Sequence, residues 1–167
     1  MFELRPITRE STPEAIKKAE RYRFLGEPLE AESICRDILQ IESGHQEAVR
    51  ALLLALTDQL IWGSPGTAEE ARRVLPQLTS EYDRAYYSGI LSERQAKALI
   101  RKGSPRSEYQ AYERLAEAMH YYEQAERLRP PGNDDAILRW NTCVRILQSH
   151  PNVRREPEGE REALMLE

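Results

Sequence analysis

Apolar residues recur along this chain in stripes of helical spacing, each closed by turn residues. In "STPEAIKKAERYRFLGEP" the positions Ala15, Ile16, Ala19, Tyr22 and Phe24 or Leu25 fall on one face of a helix. Ser11 or Thr12 stands where an N-cap belongs, Pro13 suits the first helical turn, and Gly26 ends the pattern. A second stripe opens at Pro28 and uses Ala31, Ile34, Cys35, Ile38, Leu39 and Ile41 before Gly44 breaks it. A third runs from about His45 to Ile61 through Ala48, Val49, Leu52, Leu53, Ala55, Leu56 and Leu60.

After the turn at Trp62–Gly66, with Thr67 as cap, a fourth stripe takes Ala68, Ala71, Val74, Leu75 and Leu78. Pro76 lies inside it, where it removes a hydrogen bond and crowds the preceding turn. The preferred expectation is a kinked helix; the alternative is a helix that ends near Val74.

The fifth helix is expected from about Ser80 to Lys102, with Ala85, Gly89, Ser92, Ala96 and Leu99 along one face. Such small residues let another helix approach closely. Gly89 costs about 1 kcal/mol against Ala in a helix interior, so its place predicts a packing partner. Ser104 or Ser107 caps a sixth helix reaching about Leu128, and "RPPGNDD" stops it. Asn133 or Asp134 then caps a seventh through Ala136, Ile137, Trp140, Val144, Ile146 and Leu147. Seven helices over about 12–149 leave no room for a sheet, so the predicted fold class is all-α. Residues 1–11 form an N-terminal arm, and 150–167 read as a charged, disordered tail in which "REALMLE" could add a last helical turn.

The stripes also repeat. "AESICRDILQIESGHQEAV" aligns with "AMHYYEQAERLRPPGNDDA": Ala31 meets Ala118, Cys35 meets Tyr122, Ile38 meets Ala125 and Ile41 meets Leu128. Ala71 and Leu75 supply a weaker middle copy, so the copies start 40 and 47 residues apart. This motif resembles the tetratricopeptide repeat, a helix pair with a small residue at the crossing. Ala118, Tyr122, Ala125 and Pro130 match its second-helix pattern, whereas Ser43 replaces the Pro in the first copy and Leu53 fills a small place in the second. The resemblance implies a right-handed α-solenoid of about three helix pairs plus a C-terminal capping helix. In that cap Trp140 is expected to face the stack, with Arg139, Arg145 and Gln148 toward water. Repeats of this kind stack because one pair cannot bury both of its faces.

Composition narrows the function by exclusion. Basic and acidic residues interleave, and the net charge of −4 offers no basic stripe, so no nucleic-acid partner is expected. No apolar run approaches the ~18 residues of a membrane span, so no membrane partner is expected either. Cys35 and Cys143 lie far apart among apolar positions and read as small buried hydrophobes, which fits a reducing, cytoplasmic setting. His45, His120 and His150 form no metal or catalytic pattern, and "GSPG" lacks the Lys-Ser/Thr that would reach phosphate. No catalytic residue, cofactor or metal ligand is assigned, and the chain is read as a non-enzyme.

What remains is a surface. The resemblance implies a concave groove lined by the first, third, fifth and seventh helices, holding a peptide or helix of a protein partner. The positions beside the core stripes give Arg23 (with Ile16, Glu20 and Phe24), then Arg50, Leu54 and Asp58 (with Thr57). The fifth helix offers Tyr86, Ile90, Glu93 and Arg94, and the seventh Asn141 and Arg145. Leu54, Tyr86 and Ile90 would be apolar anchors, with Arg50, Arg94 and Arg145 orienting the ligand. Members that grip a chaperone's C-terminal carboxylate use Lys and Asn where Ile16 and Glu20 stand here, which argues against that ligand. The alternatives are a homo-oligomeric scaffold, with Tyr109, Tyr112 and Tyr121 sharing a face, and a small enzyme or nucleotide binder.

Overall fold

The computed structural model describes residues 2–64 and 66–157. Among the described residues there are seven α-helices and no strand: α1 (Thr12–Phe24), α2 (Pro28–Ile41), α3 (Gln46–Gln59), α4 (Thr67–Val74), α5 (Glu81–Lys102), α6 (Pro105–Leu128) and α7 (Asp135–Ser149). None of them is long and apolar enough to cross a membrane. The expected "REALMLE" turn lies outside the described residues.

Local chemistry sets most of these ends. Ser80 Oγ accepts from Asp83 N at 3.2 Å to open α5. Ser104 and Ser107 both take part at α6, each hydroxyl accepting from the other's backbone N–H at 3.2 and 3.0 Å. Asp134 holds the N-cap position of α7, but it is Asn133 Oδ1 that accepts from Asp135 N, at 3.0 Å. At α3 the cap is an imidazole: His45 Nδ1 accepts from Ala48 N at 3.3 Å.

Two expectations are corrected. The fourth helix ends at Val74 instead of kinking, and Leu75–Gln77 continue as one 3-10 turn. Pro76 has no N–H to give the helix ladder, so the chain tightens and then extends at Leu78. Arg84 Nη1 donates to the released carbonyls of Leu78 and Thr79 at 2.7 and 3.1 Å. Nor does the first stripe end in the core: Phe24 and Leu25 are both exposed. Gly26 takes φ +77°, a left-handed turn that bends the chain off the α1 axis just after them.

Helices pack in chain order: α1 on α2, α2 on α3, α3 on α4, then α5 on α6 and α6 on α7. In addition α1 touches α3, and α3 touches α5. Ala19, Cys35, Val49, Leu52, Leu56, Val74 and others form one apolar cluster within α1 to α4 and the turn after α4. Ala85, Ile90, Ala111, Leu115, Tyr122 and Cys143 belong to a second within α5 to α7. The clusters interlock, because Leu91 of α5 joins the first and Leu54 of α3 packs against the second. Trp140 is half-buried against the second cluster, as expected of the last helix. Val153 is buried there as well, so the packed body continues past residue 149 into the segment read as tail.

The interface of α5 with α6 is the most extensive, and Gly89 makes it possible. A Cβ at that position would lie 2.5 Å from Tyr122 Cε1 and 2.7 Å from Cδ1. The ring cannot swing away freely, because it is buried and its hydroxyl is hydrogen-bonded to Glu93. Gly89→Ala should therefore destabilise the protein by about 1–3 kcal/mol, despite the better helix propensity of Ala. Urea unfolding would register this, and Tyr122→Leu in the same chain should restore part of the loss; a more stable Gly89→Ala protein would contradict the crossing described.

Candidate functional site

The ten residues singled out on the odd-numbered helices separate into three groups. Arg23, Asp58 and Arg94 come together across α1, α3 and α5. Arg23 Nε donates to Asp58 Oδ2 at 2.8 Å, and Arg94 Nη1 lies 3.1 Å from Asp58 Oδ1. All three side chains are largely buried, and Arg94 Nε is buried with no hydrogen-bond partner among the described residues. Arg50 of α3 donates from Nη1 to Asp83 Oδ2 at 3.0 Å, a second link from α3 to α5. Three guanidinium groups thus face two carboxylates on the joined faces of α1, α3 and α5, a local surplus of positive charge in a chain of net charge −4.

Ile90 and Glu93 are not surface residues, which corrects their expected place in a groove. Ile90 is 2 % exposed within the second cluster and cannot anchor a ligand. Glu93 is 0 % exposed. Its carboxylate accepts from Tyr122 Oη of α6 at 2.6 Å, pairs with Lys97 one helical turn on, and takes Arg139 Nη1 of α7 at 3.4 Å. Ile16 and Thr57, from the same faces, are buried as well. Arg139, expected to face water, instead reaches inward to this carboxylate; its partner lies 46 residues earlier, and no local pattern could announce it.

The remaining candidates occupy intermediate positions. Leu54 is half-buried against the second cluster. Tyr86 stacks on Tyr82 with ring centroids 5.7 Å apart, meets Tyr87 edge-on at 5.3 Å and tilts against Tyr122 at 6.0 Å. Asn141 is half-buried and Arg145 exposed, both on α7. No hydrogen bond or ion pair joins either of them to the Arg23–Asp58–Arg94 group among the described residues. Of the tyrosines on α6, Tyr109, Tyr112 and Tyr121 are half-buried, whereas Tyr122 is buried.

Burial dominates the shifted ionisations of the tyrosines and cysteines. It pushes the Tyr122 hydroxyl far above the ordinary phenol range, with the charge of Glu93 and the hydrogen bond to it adding to the effect. Tyr86 and Tyr87 are raised by burial first, and Tyr82 is pushed up to about 12. Arg139 is held charged by Glu93 although burial opposes it. The thiols of Cys35 and Cys143 are each pushed up to about 12 by burial, which leaves them unreactive apolar fillers.

Chemically, Glu93 serves as a clamp. Its oxygens accept from three donors on three helices, which ties α5, α6 and α7 together at one buried carboxylate. Among the described residues no group of three His, Cys, Asp or Glu side chains could hold a metal ion. His120 is exposed beside Tyr121, with Gln124 2.8 Å from Nε2. Comparison with family models, curated proteins and solved structures finds no match for this chain.

Two measurements address these groups. Glu93→Ala should lower stability by about 3–5 kcal/mol, since it strands Arg139 and Lys97 near a buried site. Tyr122→Phe should cost less, about 1.5–3 kcal/mol, for one hydrogen bond to a charged group. Chemical denaturation of both would expose an error if Glu93→Ala proved the milder change.

Stability should also fall in alkali. In the unfolded chain thiols ionise near pH ~8.5 and phenols near ~10, whereas the buried native groups stay protonated to higher pH. The native state then binds more protons than the unfolded one, and each such group contributes a loss of up to ~1.4 kcal/mol per pH unit. The loss is absent below pH ~8.5 and grows as pH rises toward the native values, which are about 12 for the two cysteines. Urea midpoints taken between pH ~8 and ~11 should show this decline, and Cys35→Ala with Cys143→Ala should flatten its lower part.

Proposed function

We propose that this protein is a non-catalytic interaction module, a tetratricopeptide-like α-solenoid that holds a segment of a protein partner against the joined faces of α1, α3 and α5. Helices packed in chain order, with additional contacts from α1 to α3 and from α3 to α5, fit a stack of helix pairs whose first helices adjoin. The close approach of α5 and α6 at Gly89 and Tyr122 fits the small-residue crossing of the repeat. The motif copy at Ala118, Tyr122, Ala125 and Pro130 fits its second helix.

The observation that carries the reading is the surplus of arginine over aspartate on that face. Asp58 is shared between Arg23 and Arg94, so neither guanidinium has a carboxylate to itself. A guanidinium offers five donors in a planar fork, and a carboxylate or backbone carbonyl can take those left unfilled. The ligand that suits this face is an extended or helical segment bearing an acidic side chain. Arg50 and Arg94 hold it, Tyr86 supplies apolar contact, and Arg145 and Asn141 lie farther along on α7. Ile90 and Glu93 act beneath this face by fixing α5.

The test uses glutamine, a shorter polar side chain that removes the charge and the guanidinium fork. Arg50→Gln with Arg94→Gln should retain the fold by circular dichroism and lose the proteins that the unaltered chain retains from native extract. An unchanged set of bound proteins would refute the arginine face. Leu54→Ala with Tyr86→Ala is the weaker probe, because both side chains also pack the core.

A further inference from the structure

Four large apolar side chains at two turns point into water, three of them within six residues and the fourth on the turn after α3. Phe24 is 88 %, Leu25 63 %, Leu29 66 % and Trp62 75 % exposed. Between the turn after α1 and the turn after α3 there is a slot of about 400 Å³, with Pro28, Leu29 and Trp62 as its apolar walls. Glu27 and Glu30, both exposed, stand at its rim with Gln59. Phe24 and Leu25, exposed as well, immediately precede Gly26 of the slot in sequence. The wall is held in place: Gln59 Nε2 donates to Glu32 at 2.6 Å and to the Ala55 carbonyl at 3.3 Å. Gly63, at φ +73°, ends the turn that presents Trp62.

An exposed indole above a ready-made slot marks a surface that gains by being covered. The charge around it selects the occupant. Among the described residues, the ionisable ones lining the slot are Glu27 and Glu30, and no basic residue lines it. A second copy of the chain placed symmetrically on this slot would bring acidic rim against acidic rim, which costs affinity. An anionic membrane surface is disfavoured for the same reason.

The geometry points to this slot as a second docking site, for a segment of another protein that inserts a large apolar side chain beside Trp62 and carries Lys or Arg to meet Glu27 and Glu30. It shares no residue with the arginine face, and its expected ligand has the opposite charge. The two surfaces therefore stand or fall separately.

Two synthetic probes test it on the full chain: an amphipathic Lys/Leu peptide of about twelve residues and its Glu/Leu counterpart. The Lys/Leu peptide should bind by calorimetry, shift tryptophan emission to the blue, and bind at least about tenfold more tightly than the Glu/Leu peptide. Trp62→Ala should weaken it about thirtyfold, the effect of an interface hot spot at 1.4 kcal/mol per factor of ten, and abolish the blue shift. Glu27→Lys with Glu30→Lys should invert the preference between the peptides. All three positions are exposed, so the fold should persist, with Trp62→Ala leaving the denaturation midpoint nearly unchanged and the two Lys substitutions lowering it modestly, because they put positive charge at the N-terminus of α2. Raising salt to ~0.5 M should weaken the Lys/Leu complex of the unaltered chain, a readout that needs no variant. Equal binding of both peptides, full binding by Trp62→Ala, or an uninverted preference would overturn the proposal. So would binding to anionic vesicles with Trp62 buried, or a dimer in sedimentation that Trp62→Ala disperses.

Discussion

Tyr122 lies over a position with no side chain, and its hydroxyl ends on a carboxylate that has no access to water. The C-terminal half of the molecule depends on this contact. Gly89 lets the ring of α6 rest on the backbone of α5, and the ring carries the hydroxyl to Glu93. Glu93 in turn draws Arg139 from α7. A buried carboxylate without donors would be expelled or protonated, so the three donors and the helices that bear them are fixed together. The interaction is directional where the apolar contacts around it are not. It therefore sets how the three helices sit, while Ala111, Leu115, Ala118 and Cys143 supply the bulk of the burial.

The N-terminal half is joined to this unit through α3 and α5, and the joint has an oily and a charged part. Leu91 and Leu54 cross between the two apolar clusters. Beside them Asp58 receives arginines from α1 and α5, and Arg50 reaches Asp83. Ion pairs of this half-buried kind add modestly to stability, but they align helices and leave guanidinium groups ready to trade partners. The same residues can thus be structural in the free protein and binding residues in a complex. The Trp62 slot differs in kind, because Leu29 and Trp62 in its walls stay exposed among the described residues and its rim is acidic.

The positions of the helices were readable because they rest on local causes. The stripes of α2, α3, α5 and α6 need only the 3.6-residue period. Ser80, Ser104 and Asn133 cap helices through bonds to residues two or three positions on. Gly89 announced a close contact because glycine is costly within a helix unless something presses on it. The errors came where two local rules compete or where exposure depends on distant chain. Pro76 could kink or terminate α4, and sequence does not weigh the carbonyls that Arg84 later satisfies. Phe24 and Leu25 continue the apolar pattern yet lie at a turn, where pattern carries no direction.

The sequence by itself determined an all-helical chain, the extent of its helices other than α4, the burial of both cysteines and the inward faces of the longer helices, since each follows from short-range periodicity and capping. Only the tertiary structure decided that Glu93 and Ile90 are interior, that Arg139 turns inward, that Arg23, Asp58 and Arg94 meet, and that Trp62 and Leu29 flank an open slot. Those facts join residues from 29 to 46 positions apart, and a helix's outer positions look alike in sequence until the neighbouring helices decide which of them water can reach.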